Sequence, residues 1–145
     1  MNKTKYILLC SLIVWMSSCK KEISVGDYSL LTGYWEIEKA KLPDGTEKDY
    51  SFNASVDYFE VNEEGIGFRQ KLMPQFNGEY LTNDIPEEIK IEQEGSVFWI
   101  NYKTDFSEWK EQLMTIKKDE LILKNEHDII YYYKRTDAVN SEDAE

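Results

Sequence analysis

The chain has 145 residues, with 17 lysines and arginines against 28 aspartates and glutamates, so its formal net charge is −11 at pH 7. A chain this acidic repels phosphate backbones and anionic headgroups, which argues against nucleic-acid binding. Only two cysteines and one histidine are present, so a disulfide framework, a thiolate metal site and a histidine ligand set are excluded.

The first eighteen residues differ in composition from the rest of the chain. Lys3 and Lys5 form a basic head, and residues 6–15 are an almost continuous apolar run. This run is shorter than the roughly 20 apolar residues that a membrane-spanning helix requires. A charged head, an apolar middle and a small-residue exit are typical of a signal peptide, which we predict for residues 1–18.

The exit of this segment, residues 16–19, reads Met-Ser-Ser-Cys and resembles the lipobox of bacterial lipoproteins. The resemblance implies cleavage before Cys19, which becomes the new N-terminus and carries lipid with palmitate-type acyl chains. Two or more acyl chains hold a protein stably on a bilayer. We therefore expect a lipid-anchored protein of the cell envelope, in the outer membrane on its periplasmic or surface face.

Cleavage would leave 127 residues, the size of one domain, with 15 basic against 28 acidic residues and a net charge of −13. We predict a tether at 19–26, a folded domain at 27–136 and a disordered acidic tail at 137–145. Cys10 lies in the discarded segment and Cys19 is the lipid site. The domain then contains no disulfide, and its core alone must stabilise it.

Short runs of β-forming residues alternate with turn signals along the domain. In the first run, Trp35 and Ile37 alternate with glutamates, and the Pro-Asp-Gly-Thr turn at 43–46 follows it. Glu94-Gly95 is predicted as a two-residue hairpin turn. The predicted strands are 33–42, 56–61, 66–72, 88–93, 97–103, 109–117, 120–124 and 129–134, with a ninth at 80–81 left open.

Hairpin-linked strands in this number leave two exposed edges unless the sheet closes on itself. The favoured fold class is therefore all-β, an antiparallel up-and-down barrel of eight to nine strands. A twisted sandwich is the alternative. A short helical turn at 27–31, with Asp27 as its N-cap, is expected to plug one end of the barrel.

Three segments resemble lipocalin-like domains of bacterial lipoproteins. Gly33–Trp35 matches the Gly-x-Trp that opens the first lipocalin strand, and 113–123 and 131–135 resemble the later hairpin and the closing Tyr-x-Lys-Arg strand. The resemblance covers residues 27–136 and implies a lipocalin-like barrel. It also implies that a basic side chain of the last strand packs over the tryptophan, a role that falls to Arg135.

Gly33, Trp35 and Arg135 are accordingly expected to close the barrel floor, since arginine over an indole contributes roughly 0.5–2 kcal/mol. Alternation points further side chains inward, with Ile37 and Ile89 among them. Many bulky residues in a short barrel favour a small or absent cavity, and about 300 Å³ marks the lower limit of real ligand sites. The candidate ligand-binding residues are Trp35, Phe59, Phe68, Trp99, Leu113, Tyr131 and Tyr133.

We predict non-catalytic binding of a small hydrophobic ligand at the cell envelope. The alternative is a solid-core barrel that acts as a protein or glycan interaction module. No catalytic residue, cofactor or metal site is predicted: His127 lies in a turn, and the acidic turn at 62–65 lacks the ligand spacing of a calcium loop. The oligomeric state stays open.

Overall fold

The structure, a computed structural model, describes residues 23–51, 53, 55–77, 79–82 and 85–137. The predicted signal peptide, the lipid site Cys19 and the tail from residue 138 onward lie outside these residues. The described part contains one 3₁₀ helix, Val25–Leu31, and ten strands. The strands are β1 (Gly33–Lys41), β2 (Glu47–Asp49), β3 (Val56–Val61), β4 (Ile66–Pro74), β5 (Tyr80–Thr82), β6 (Glu87–Glu94), β7 (Val97–Lys103), β8 (Glu108–Ile116), β9 (Glu120–Lys124) and β10 (Ile130–Thr136).

Eight of these strands form a closed ring in the order β1, β3, β4, β6, β7, β8, β9 and β10, and β10 pairs back with β1. Every pairing is antiparallel. Neighbours in the ring are also neighbours along the chain once β2 and β5 are set aside. The predicted antiparallel up-and-down all-β barrel is therefore confirmed, and the sandwich alternative is wrong.

The two strands outside the ring are short. β5 pairs only with β4, at the position left open as a ninth strand, and β2 pairs only with β1. β2 was not predicted from the sequence, because its three residues, Glu47–Asp49, are all charged and exposed and carry no apolar alternation. Charged side chains of this kind are typical of an unpaired sheet edge.

The hairpin between β6 and β7 closes in two residues, one position later than predicted. Glu94 pairs directly with Val97, so the turn residues are Gly95 and Ser96. Gly95 has a φ of +62°, a left-handed conformation that only glycine adopts without strain.

The 3₁₀ helix plugs one end of the barrel, which we call the helix end. It begins at Val25, and its N-cap is Ser24 rather than Asp27. Asp27 instead accepts hydrogen bonds from the Ser24 backbone N–H at 3.0 Å and from its hydroxyl at 2.8 Å. The predicted N-cap was wrong because a capping box places the acidic residue three positions inside the helix.

Inside the ring, a contiguous apolar core fills the space above the helix. Tyr28 and Leu31 of the helix are buried against it. Of the predicted inward residues, Trp35, Phe59, Ile89, Leu113 and Tyr133 are buried members of this core. Its other buried members are Val61, Ile91, Phe98, Ile100, Tyr102, Ile116, Leu121 and Leu123. The helix half of the barrel is thus held by apolar packing.

Trp99 does not point inward, and its predicted orientation is wrong. The buried residues of β7 are Phe98, Ile100 and Tyr102, which places Trp99 on the outer face. There the Lys110 ammonium lies 4.2 Å from the centre of its ring. The error arose because apolar residues occupy both faces of β7, so alternation alone does not say which face is buried.

Phe68 also faces outward, against the prediction. It pairs with Glu60 of β3, and its ring lies 6.1 Å from that of Tyr58. The inward neighbour on β4 is Arg69, which pairs with the core residue Phe59. Here the arginine is buried and the neighbouring aromatic residue faces outward, which reverses the usual relation between hydrophobicity and burial, so the apolar pattern indicated the wrong face of β4.

β1 and β3 separate towards the end of the barrel opposite the helix, which we call the far end. They pair only over Gly33–Trp35, and beyond that point β1 pairs with β2 instead. Asn53, in the connection to β3, donates a hydrogen bond to the Ile37 carbonyl at 2.8 Å across this gap. The gap leaves an opening to the barrel interior, and the candidate site lies there.

Candidate ligand pocket

The structure brings together the three residues expected to close the barrel floor. Trp35 is fully buried, and its indole N–H donates to the Leu31 carbonyl at 2.8 Å. The guanidinium of Arg135 lies 4.2 Å from the centre of the tryptophan ring. Gly33, with a φ of +133°, leaves space that a Cβ atom would take from that guanidinium. Directly opposed positions in β1 and β10 bring Trp35 and Arg135 together.

A pocket of about 280 Å³ lies above this floor, at the gap between β1 and β3. Its walls combine inward-facing residues of β1, β3, β4 and β10 with residues of the connection before β3. The lining residues are Trp35, Ile37, Tyr50, Asn53, Ser55, Asp57, Lys71 and Tyr133. We call this cavity the far-end pocket.

An ion pair forms the polar side of the far-end pocket. Asp57 and Lys71 are directly opposed in β3 and β4, and the ammonium donates to the carboxylate at 2.7 Å. The Tyr133 hydroxyl donates to the other carboxylate oxygen at 3.3 Å. The Asp57 side chain is only 4% exposed, whereas that of Lys71 is 45% exposed. One partner is therefore fixed inside the barrel, and the other reaches it from the rim.

Further charged side chains lie inside the barrel behind this pair. Arg69 donates from Nε to Glu87 and, at 3.5 Å, from Nη1 to Glu111. Its guanidinium carbon also lies 4.2 Å from the centre of the Tyr102 ring, which stacks on Trp109. Buried charges of this kind persist only when they are paired, as these are.

Burial and charge shift the pKa values of this group of residues in a consistent way. Burial raises the pKa of Glu111 above its usual value, although Arg69 opposes the change. Burial opposes the charge on Arg69, but nearby carboxylates, among them Asp57 and Glu87, favour it, and the arginine pKa lies above its usual value. Burial also raises the pKa of Tyr102 and Tyr133, so both hydroxyls stay neutral.

The Tyr102 hydroxyl is fully buried and has no hydrogen-bond partner within the described part of the chain. Burial raises the pKa of this hydroxyl, and Glu111 is near enough to raise it further. A buried hydroxyl without a partner loses free energy relative to water. The Tyr102 hydroxyl is therefore an unsatisfied hydrogen-bonding group beside a network of paired charged side chains.

The candidate ligand residues divide into three groups. Trp35 and Tyr133 line the far-end pocket. Phe59 and Leu113 lie in the apolar core, and Tyr131 packs half-buried against it, 6.5 Å from the Tyr133 ring. Trp99 and Phe68 lie outside the barrel, as described above.

Sequence reasoning missed Asp57, Arg69, Lys71 and Glu111, because it searched the inward positions for apolar residues only. The signal was present in β3, where Asp57 shares its parity with Phe59 and Val61. A charged residue in phase with a buried stripe is a candidate for a paired interior charge.

His127 is exposed in the turn between β9 and β10, where its backbone N–H donates to the Asn125 side chain at 2.9 Å. Over the ranges that the structure covers, no three histidine, cysteine, aspartate or glutamate side chains cluster closely enough to hold a metal ion. The same ranges contain no helix with the length and hydrophobicity needed to cross a membrane.

A second, larger cavity of about 750 Å³ is an open groove at the surface. Most of its lining consists of outward-facing residues of β4, β6, β7 and β8. Charged pairs rim it, among them Lys103 and Glu108 at 3.1 Å. Its lining also includes Ile66, an exposed aliphatic side chain at the start of β4.

No family model matches this chain, and no curated protein matches it in sequence. Two solved structures resemble it in outline. A lipocalin-like protein from Bacteroides uniformis is 12% identical, with a TM-score of 0.49 over 74% of this chain and 99% of that one. An uncharacterized protein from Bacteroides eggerthii is 12% identical, with a TM-score of 0.49 over 73% of this chain and 99% of that one. The fold assigned here follows from the strand pairing itself.

Proposed function

We propose that this protein is a lipid-anchored, non-catalytic binding protein of the cell envelope, which holds a small ligand in the far-end pocket. The observation that carries the proposal is the pocket itself, an opening into the barrel lined by inward-facing residues of four strands. The Asp57 carboxylate of the pocket is held in an ion pair with Lys71, an arrangement that favours binding of a ligand over proton transfer to it.

The size and lining of the pocket define the kind of ligand. About 280 Å³ lies at the lower limit of small-molecule sites, so the ligand is small. Trp35, Ile37 and Tyr50 offer an apolar or aromatic surface, as expected for the hydrophobic ligand predicted from the sequence. Asp57 and Lys71 line the same pocket, so the ligand must also carry a polar group.

The proposed lipid anchor on Cys19 would lie at the end of the barrel opposite the far-end pocket. Three residues separate Cys19 from Ile23, and even a fully extended chain spans only about 14 Å between the two Cα atoms. Ile23 packs against the core at the helix end of the barrel. A lipid on Cys19 would hold the helix end near the outer membrane and leave the far-end pocket open to the aqueous side.

The alternative is a protein or glycan interaction module, and one observation favours it. Phe76 and Phe106, in loops at the far end of the barrel, are almost fully exposed. Exposed aromatic side chains often mark interaction surfaces. Crosslinking in the native host would support this function if it captured one defined partner, and if Phe106→Ser abolished the crosslink.

A ligand screen by NMR tests the binding function. The full-length lipidated protein in nanodiscs is titrated with fluorinated fragments of about ten to fifteen non-hydrogen atoms, with empty discs as reference. Ser55→Phe should block the pocket and abolish binding, whereas Gln112→Phe, on the outer face of β8, should leave it unchanged. Binding that survives Ser55→Phe, in a variant with unaltered melting, would overturn the assignment of the pocket.

The anchor is tested separately. Cells fed an alkyne analogue of palmitate should label the wild-type protein and not Cys19→Ala, and only the wild type should sediment with outer membranes. Equal labelling of both proteins would contradict the assignment of Cys19.

A further inference from the structure

We infer that the far-end pocket selects a small organic cation, whose ammonium group takes the place of the Lys71 ammonium on Asp57. This inference rests on the proposed function and names the chemical class of its ligand. The two members of the ion pair differ in burial, and the acidic side chains inside the barrel outnumber the basic ones.

Asp57 is a buried carboxylate that requires a positively charged partner. Its side chain is 4% exposed, and one oxygen accepts from Lys71 while the other accepts from Tyr133. An ionised carboxylate at this depth is strongly disfavoured without a positive partner. Any ligand that displaces Lys71 must therefore bring a positive charge to the same position.

Lys71 is suited to be displaced. Its side chain is 45% exposed at the rim, and the only side-chain partner that the structure gives it there is Asp57. An ammonium group on a flexible four-carbon stem is strongly hydrated and moves into water at little cost. When a ligand amine replaces the lysine, Asp57 still has one positively charged partner. The carboxylate is therefore not left buried and unpaired, and the Lys71 ammonium is solvated by water.

The surrounding charges favour a cation over an anion. The inward-facing acidic groups are Asp57, Glu87 and Glu111, and the inward-facing basic groups are Arg69 and Lys71. When Lys71 swings out, three carboxyl groups face a single arginine, and the ligand enters a negative field. A ligand carboxylate at the same place would lie beside Asp57, whose like charge repels it.

The aromatic residues that line the far-end pocket also favour a cationic ligand. Tyr50, Tyr133 and Trp35 line the pocket around the ion pair. Aromatic faces attract cations as well as apolar groups, and several rings around one carboxylate are a common way to hold an amine. Arg135 already covers one face of the Trp35 ring, so Tyr50 and Tyr133 are the rings left for the ligand.

Three matched probes test the charge preference: 2-(4-fluorophenyl)ethylamine, 2-(4-fluorophenyl)ethanol and 3-(4-fluorophenyl)propanoate. Their affinities are measured by fluorine NMR on the full-length protein in nanodiscs. We expect the amine to bind about tenfold or more tightly than the alcohol, since a charge-assisted hydrogen bond replaces a neutral one. The propanoate should bind more weakly than the alcohol.

Variants of the ion pair separate this inference from simple binding. Lys71→Met removes the competitor and should tighten binding of the amine by about tenfold while leaving the alcohol unchanged. The double variant Asp57→Asn/Lys71→Met, which is neutral and not expected to strain the fold, should bind the amine and the alcohol equally. Melting curves verify that both variants fold.

Three results would overturn the inference: tighter binding of the propanoate, no effect of Lys71→Met on the amine, or no amine binding to either protein. The proposed function fails on different grounds, namely if no fragment of the broader screen binds in the far-end pocket. Fragments that bind there without regard to charge would overturn the cation preference and leave the binding function standing.

Discussion

Arg135 lies over the indole ring of Trp35, with its guanidinium carbon 4.2 Å from the ring centre. The same guanidinium donates hydrogen bonds to the carbonyls of Thr32 at 2.9 Å, Leu30 at 2.5 Å and Lys118. One side chain of the last strand thereby joins the first strand, the 3₁₀ helix and the β8–β9 turn. This side chain therefore connects three elements at the helix end of the barrel, in addition to the apolar packing there.

Removal of that side chain should therefore destabilise the whole barrel. Arg135→Met keeps the length of the stem but loses the cation–π contact and three hydrogen bonds to carbonyls, an expected loss of about 2–4 kcal/mol. Urea unfolding measures it. Lys134→Met, which alters an exposed neighbour 4.0 Å from Glu36, is the control and should change stability by less than about 1 kcal/mol. Equal losses in the two variants would contradict the closure role.

Substitution of Gly33 should destabilise the protein more than substitution of Gly45, another glycine with a positive φ. Gly33 and Gly45 both have positive φ, +133° and +87°, but only at Gly33 would a Cβ meet the Arg135 guanidinium. Gly45→Ala should destabilise by about 1 kcal/mol, and Gly33→Ala by about 2–4 kcal/mol, because strain and displacement of the arginine add. Thermal melting of the two variants tests this difference. A Gly33→Ala loss no larger than that of Gly45→Ala would show that the guanidinium moves aside freely.

Two tryptophans on opposite faces of the sheet should respond very differently to truncation. Trp35→Ala removes a fully buried ring and should destabilise by about 3–5 kcal/mol. Trp99→Ala removes an outer ring in contact with Lys110 and should destabilise by about 1 kcal/mol. Chemical unfolding of both variants checks the prediction. A loss at Trp99 equal to that at Trp35 would place Trp99 in a core and contradict the strand parity described here.

Glu111 predicts a specific pH dependence of stability. Burial raises its pKa in the folded protein above the ordinary value, so the folded state holds the proton more tightly than the unfolded chain. The stability contributed by its protonated form is present below the ordinary pKa and is lost as the pH rises through the raised one. Glu111→Gln stays neutral at every pH and should gain stability relative to wild type as the pH rises from about 4 to 7.

Urea unfolding of the wild type and of Glu111→Gln across that range measures this gain. Glu108→Gln is the control, because Glu108 lies on the same strand and pairs with Lys103 at the surface, where ion pairs contribute little. A difference between wild type and Glu111→Gln that is constant with pH, or that shrinks towards neutrality, would contradict the raised pKa.

Local patterns in the sequence determined most of the architecture. Turn residues and short β-forming runs predicted the ends of the eight ring strands to within two residues, and the need to remove exposed edges predicted closure. The Gly-x-Trp motif and the basic residue of the last strand predicted the contact between Trp35 and Arg135. The strand predictions succeeded because turn geometry and strand alternation depend on neighbours in the chain, whereas the contact between Trp35 and Arg135 was implied by the resemblance to lipocalin-like domains.

The tertiary structure alone decided which face of β7 and β4 is buried, where β1 parts from β3 and which charges meet inside the barrel. Trp99 and Phe68 look like core residues in the sequence, but both face outward. The strand of Trp99, β7, is apolar on both faces, and the strand of Phe68, β4, has the inward-facing residue Arg69. Asp57 and Lys71 are fourteen positions apart, and only the pairing register of β3 and β4 sets them 2.7 Å from each other. Interior charge pairs depend on that register, which no local pattern specifies.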